Sequence, residues 1–140
     1  MTSTRRSTPM AIRALAAALM LGTGALIGCE DIGRINECNA VIDVINKGSA
    51  ALKDLHTATD LEARVAELSD LDKKLAATKV ERAELRAFVE EYRKLLADVI
   101  VYAKDMESTT EYSEVERRSA DLSKREKDLV DRMNGYCRGS

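Results

Sequence analysis

After Pro9 the chain contains no proline, and beyond residue 28 its only glycines are Gly33, Gly48, Gly135 and Gly139. A sheet protein needs a turn every 8–12 residues or so, and those turns draw on proline and glycine. Strands also favour aromatic and β-branched residues, yet aromatics are only 4% of this chain, with no Trp and a single Phe, Phe88. Long helices are permitted almost everywhere, so an all-α fold is expected. A length of 140 residues limits the chain to one domain, or one domain with an appendage. Its formal charge of -2 offers no basic excess for a phosphate backbone, and no nucleic-acid partner is expected.

Residues 1–28 contain Arg5, Arg6 and Arg13, no acid, and an apolar run from Ala14 to Ile27. That is the layout of a secretory signal peptide, and the run is too short to span a bilayer comfortably. Met10 is an alternative start that leaves a more compact signal still carrying Arg13. Arg5-Arg6 lacks the hydrophobic residue expected two places later in a twin-arginine signal and reads as ordinary leader charge. The run ends in Leu26-Ile27-Gly28-Cys29, which resembles the lipobox of bacterial lipoproteins. The resemblance implies cleavage behind Gly28 and lipidation of Cys29 as the mature N-terminus. Glu30 follows it instead of the Asp associated with inner-membrane retention, so the periplasmic face of the outer membrane is the expected location.

Three of the 22 basic residues fall in the leader, leaving 19 against 24 acidic ones in residues 29–140. A mildly acidic domain is repelled by anionic headgroups. Attachment must come from acyl chains, of which two or more anchor stably where one is marginal. With Cys29 assigned to lipid, Cys38 and Cys137 remain, an even pair in a chain exported to an oxidising space. One disulfide is the natural inference; the alternative is two separate free thiols. The expected organisation is a signal peptide over 1–28, a lipidated N-terminus and short tether over 29–37, a helical domain over 38–137 and a tail over 138–140.

Four helical segments are legible. Segment one runs from about Asp31 to Leu55, with Ile35, Cys38, Ile42, Ile45 and Leu52 at helical spacing and Gly48 as its weak point. A capping box, Thr59-Asp60-Leu61-Glu62, opens segment two, where Leu61, Val65, Leu68, Leu71 and Leu75 share a face. A second box, Thr78-Lys79-Val80-Glu81, opens segment three. There Leu85, Phe88, Tyr92, Leu95, Val99, Tyr102 and Met106 step by three and four, flanked by Val89, Leu96, Ile100 and Ala103. So wide an apolar arc predicts two neighbours, and Phe88, on the stripe with Leu85 and Tyr92, is expected to be buried against a neighbouring helix. A third box, Ser108-Thr109-Thr110-Glu111, opens segment four, with Tyr112, Val115, Leu122, Leu129, Met133 and Tyr136 on one stripe. Asn134-Gly135 reads as its stop, leaving Cys137 on the turn beyond.

Four antiparallel helices with short loops make an up-down-up-down bundle, closed by one disulfide because the first helix begins where the fourth ends. The rival is a three-helix arrangement with one continuous helix from about Thr59 to Glu107.

No motif for chemistry emerges. His56, the only histidine, falls in the predicted turn between segments one and two. One His and two cysteines expected to be oxidised do not make a zinc site, no C-x-x-C-H exists for haem attachment, and a haem held by His56 with Met106 or Met133 is the only pairing left open. Glu90-Glu91 and Glu114-Glu116 are sequence neighbours that diverge on a helix, and Glu-x-x-His is missing. No catalytic residue, cofactor or metal is therefore expected. Ser119 and Glu126 alone sit where segment four's stripe calls for apolar residues; they mark either a boundary position or a groove for an interaction. The tyrosines Tyr92, Tyr102, Tyr112 and Tyr136 read as core residues with satisfied hydroxyls.

The stretch Cys38 to Gly48, with Leu129 to Cys137, looks like the two ends of a group of small helical lipoproteins without assigned activity. That resemblance implies paired cysteines. The expected role is structural or interaction work at the envelope, with the membrane and an unidentified envelope protein as partners; the alternative is a periplasmic bundle binding a small ligand.

Overall fold

The computed structural model describes residues 29–53, 55, 60–106, 108 and 111–139. The expected signal peptide over residues 1–28, which includes Met10, lies outside the described residues, as do His56, Thr59, Glu107, Thr109 and Thr110. Four helices follow one another: α1 (Cys29–Lys53), α2 (Leu61–Ala77), α3 (Ala83–Met106) and α4 (Tyr112–Arg138). Each packs against the next, and α1 meets α4 more sparsely. The pairing is antiparallel, since contacts climb one helix as they descend its neighbour: Asp98 to Arg125 and Glu91 to Arg132 between α3 and α4. The single long central helix is overturned, because α2 ends at Ala77 and α3 starts afresh at Ala83.

The break is built from side chains. Thr78 closes α2, its Oγ1 donating to the Lys74 carbonyl and its backbone N–H to that of Leu75. Thr78 is thus a stop for α2 and not the cap of α3 that the sequence pattern predicts. At the other end of α2 the cap is Asp60, whose extended backbone lets its carboxylate accept from the Ala63 N–H at 2.9 Å. Glu111 takes the cap position of α4 without a side-chain bond, and Ser108 instead donates to the Asp105 carbonyl at the end of α3.

Two expected interruptions of helix do not occur. α1 runs straight through Gly48, where a Cβ would stand 2.6 Å from the Leu71 methyls. The missing side chain lets α1 and α2 approach, which offsets the roughly 1 kcal/mol that glycine costs a helix. Asn134-Gly135 likewise does not end α4, which continues to Arg138. Gly139, at φ 77, supplies the left-handed residue, its N–H donating back to the carbonyls of Gly135 and Tyr136. Cys137 therefore lies in the last turn of α4 and not beyond it. Its bond to Cys38 joins α1 to α4 with a Cα–Cα distance of 5.8 Å.

Residues 29–37, expected as a tether, are the first turns of α1. The helix runs through Gly33, where a Cβ would stand 2.9 Å from the Arg82 guanidinium, so the missing side chain makes room for that group.

The core is a continuous cluster drawn from all four helices, and no polar or charged side chain is fully buried among the described residues. On α3 the buried set Leu85, Val89, Tyr92, Leu96, Val99 and Ala103 is a heptad seam of the coiled-coil kind, with Leu95 and Tyr102 buried beside it. Phe88 and Met106 are only partly buried. Phe88 lies at the α4 edge, its ring centroid 5.9 Å from that of Tyr136 and the Arg132 guanidinium 5.8 Å away. Ile35, placed on segment one's apolar face, is exposed, and so is Tyr112 at 81%. The first turn of α4 therefore carries an aromatic that the core does not use.

Candidate functional site

Segment four buries only Leu129 and Met133 fully, so its remaining stripe meets the bundle obliquely. Ser119 and Glu126 are consequently half-buried, and they do come together: with Ser123 and Leu122 they form one wall of a cleft. Leu52 and Leu55 from the α1 end and Leu95, Val99 and Tyr102 from α3 complete it. The space is about 50 Å³, room for one or two water-sized groups.

Polar groups at its margin are matched. The Tyr92 hydroxyl donates to Glu126 Oε1 at 3.4 Å. Burial, and then the Glu126 carboxylate, push the Tyr92 hydroxyl above its ordinary pKa, so it remains a neutral donor. The Tyr102 hydroxyl donates to the Val115 carbonyl at 3.2 Å, and the Arg118 guanidinium stands 5.5 Å from its ring centroid. Of the four tyrosines, Tyr92 and Tyr102 are thus the satisfied core residues expected. Tyr136 is half-buried against Phe88, whereas Tyr112 is not a core residue at all.

The carboxylate neighbours diverge as helical geometry requires. Glu90 reaches Arg93 and Glu91 reaches Arg132, while Glu114 is taken by Arg117. Met133 is buried and Met106 partly so. Among the described residues no group of three or more His, Cys, Asp or Glu is placed to hold a metal ion, and no helix is long and apolar enough to cross a membrane.

The second constellation, at the end where α1 begins, was not legible in the sequence. Glu37 of α1 reaches across to the start of α3: its Oε2 accepts from the backbone N–H groups of Glu81 at 3.1 Å and Arg82 at 3.2 Å, and its Oε1 from the Arg82 guanidinium at 2.7 Å. A carboxylate there also complements the positive end of α3. No sequence signal joins residues 44 or 45 positions apart. Cys38, the next residue, carries the disulfide, so two successive residues of α1 clamp α3 and α4.

Partial burial works against the Glu37 carboxylate, but the N–H groups of Arg82 and Glu81 and the Arg82 charge outweigh it and hold its pKa below 4.5. A depressed acid contributes stability above its unfolded pKa and loses it as pH falls through the folded one. Glu37→Gln is therefore expected to cost about 1–2 kcal/mol at neutral pH, and the two proteins should converge in stability as the pH drops below 4.5. Chemical denaturation at stepped pH measures this; parallel curves down to strong acid would count against the clamp.

No family model, curated protein or solved structure matches this chain.

Proposed function

We propose that this protein is a bacterial lipoprotein, exported to the cell envelope and held by acyl chains on Cys29 at the periplasmic face of the outer membrane, where it does structural or protein-interaction work and no catalysis. The carrying observation is Leu26-Ile27-Gly28-Cys29 at the end of an apolar run behind a basic leader. A disulfide between Cys38 and Cys137 is consistent with an oxidising compartment.

The interaction role is favoured over a ligand-binding bundle by the size of the internal space. Small-molecule sites usually occupy about 300–1,000 Å³, against about 50 Å³ for the cleft at Ser119 and Glu126. The larger hollows, about 430 Å³ between α1 and α2 and about 360 Å³ between α2 and α3, mix charged side chains such as Lys47, Asp70, Asp72 and Lys94 with small and apolar ones such as Ala51, Leu71 and Ile100. Exposed faces rich in charge suit recognition of an envelope protein better than sequestration of a small apolar molecule.

Cys29→Ser is expected to yield an unprocessed or soluble exported form absent from the membrane fraction, with no acyl group on the N-terminal peptide by mass spectrometry. A variant still cleaved behind Gly28 and still membrane-bound would overturn the anchor.

A further inference from the structure

We infer that the first turns of α1 form a bilayer-facing surface, with Ile32 and Ile35 seated in the headgroup layer and the disulfide end of the bundle turned toward the membrane. The inference rests on the proposed acylation of Cys29.

It starts from rigidity. Cys29 and Cys38 belong to one uninterrupted helix, so no flexible chain separates the anchor from the bundle. That helix is pinned by two independent contacts: the Glu37 carboxylate on Arg82 and the α3 entry, and the bond from Cys38 to Cys137; the absent side chain of Gly33 leaves room for the same Arg82 guanidinium. An acylated Cys29 would then hold the whole domain, and not a tether, at the membrane surface. Ile32 and Ile35 follow three and six residues later, about 4.5 and 9 Å along the axis at about 1.5 Å per residue.

Those two side chains are the exposed large apolar residues of α1, at 51% and 41%. At about 100° per residue they share an arc of about 120° with Asn36, Asn39 and Ile42. Asn36 and Asn39 are exposed, Ile42 is partly buried against the core, and the arc carries no charge from Ile32 until Asp43, which lies within it. In a chain with 33% charged residues, about two turns of uncharged, solvent-facing helix from Ile32 to Asn39, beside the anchor, call for an occupant. Asp31, which borders the arc, is paired with Arg34 at 2.9 Å, and Asp43, inside the arc one turn beyond Asn39, is paired with Lys47 at 2.6 Å. Isoleucines flanked by amides suit the boundary between headgroups and acyl chains, where apolar side chains penetrate shallowly. A second copy fits less well, because a stable protein interface takes about 800 Å² from each partner, and two half-exposed isoleucines supply only a small part of that.

The test uses the absence of tryptophan. Ile32→Trp, Ile35→Trp, Val101→Trp and Tyr112→Trp are made in the full chain, processed in the envelope, purified and reconstituted into phosphatidylethanolamine and phosphatidylglycerol vesicles with brominated acyl chains. Val101 and Tyr112 are exposed and lie away from the start of α1. Mass spectrometry of the N-terminal peptide is read on the same samples. The expected result is an acylated Cys29, with bromine quenching of Trp at 32 and 35 several-fold stronger than at 101 and 112. Acylated protein with equal quenching at all four positions would overturn the orientation and leave the anchor standing. A blue-shifted but unquenched Trp at 32 or 35, with a dimer in sedimentation, would overturn it in favour of a second copy. An unacylated Cys29 would take down the lipoprotein reading and this inference together.

Discussion

Replacing both Cys38 and Cys137 with alanine is expected to lower the unfolding free energy by about 4 kcal/mol and the melting midpoint by roughly 20 °C. The sequence separation is 99 residues, so the bond closes almost the whole domain into one loop and removes a large part of the unfolded chain's freedom. Little else joins α1 to α4: consecutive helices pack extensively, whereas the first and last touch only sparsely. The loss should therefore be uneven. Amide exchange in the variant should quicken most in the last turns of α4 and the first turns of α1, and least in the α2 and α3 segments around Leu68, Leu71 and Leu96, which are 2% exposed or less. A drop under about 1 kcal/mol would mean that the unfolded chain already keeps its ends together.

That pairing was legible by counting once Cys29 was set aside, because the remaining two cysteines had only one another. The number and order of helices were legible too, since segments two and three carry uninterrupted three-four spacing, segments one and four carry it with gaps, and polar residues mark the starts of segments two to four. The exact caps were not. Thr59 and Asp60, or Thr78 and Glu81, offer competing oxygens within one turn, and the choice depends on which backbone leaves the helix first. Asp60 caps α2 and Thr78 ends it. The end of α4 failed for a related reason. Gly135 is a plausible stop in isolation, but the bond at Cys137 holds the following turn, and Gly139 is available to take the left-handed position. Glu37 was invisible because its partners become neighbours only after α1, α2 and α3 have packed. Ser119 and Glu126 were found by the opposite logic: polar residues on an apolar stripe must have a partner or an edge, and here Glu126 has the Tyr92 hydroxyl and both line a cleft.

The phase of α3 decides the second large effect. Leu85, Tyr92 and Val99 belong to two interleaved seams, one through Phe88, Leu95, Tyr102 and Met106, the other through Val89, Leu96 and Ala103. Spacing alone cannot rank them. In the structure the second seam is buried throughout, on the side of Arg93, whose guanidinium reaches Asp72 of α2 at 2.8 Å. The first lies toward α4 and is buried only at its middle, where Leu95 and Tyr102 back the cleft. Leu96 has no exposed surface. Its truncation leaves a void that helices on both sides cannot collapse into, and Leu96→Ala should cost about 3–4 kcal/mol, moving the midpoint by more than 10 °C. Phe88→Ala should cost about 1–2 kcal/mol, because a partly buried ring gives up a tilted contact with Tyr136 and the Arg132 cation without opening a sealed cavity. Val101, 54% exposed, serves as the reference; its change to Ala should stay within about 0.5 kcal/mol. Thermal and urea unfolding of the three variants, with the disulfide oxidised, gives the order Leu96, Phe88, Val101. If Phe88→Ala proved as damaging as Leu96→Ala, α3 would have to be turned toward α4, and the cleft at Glu126 would close with it.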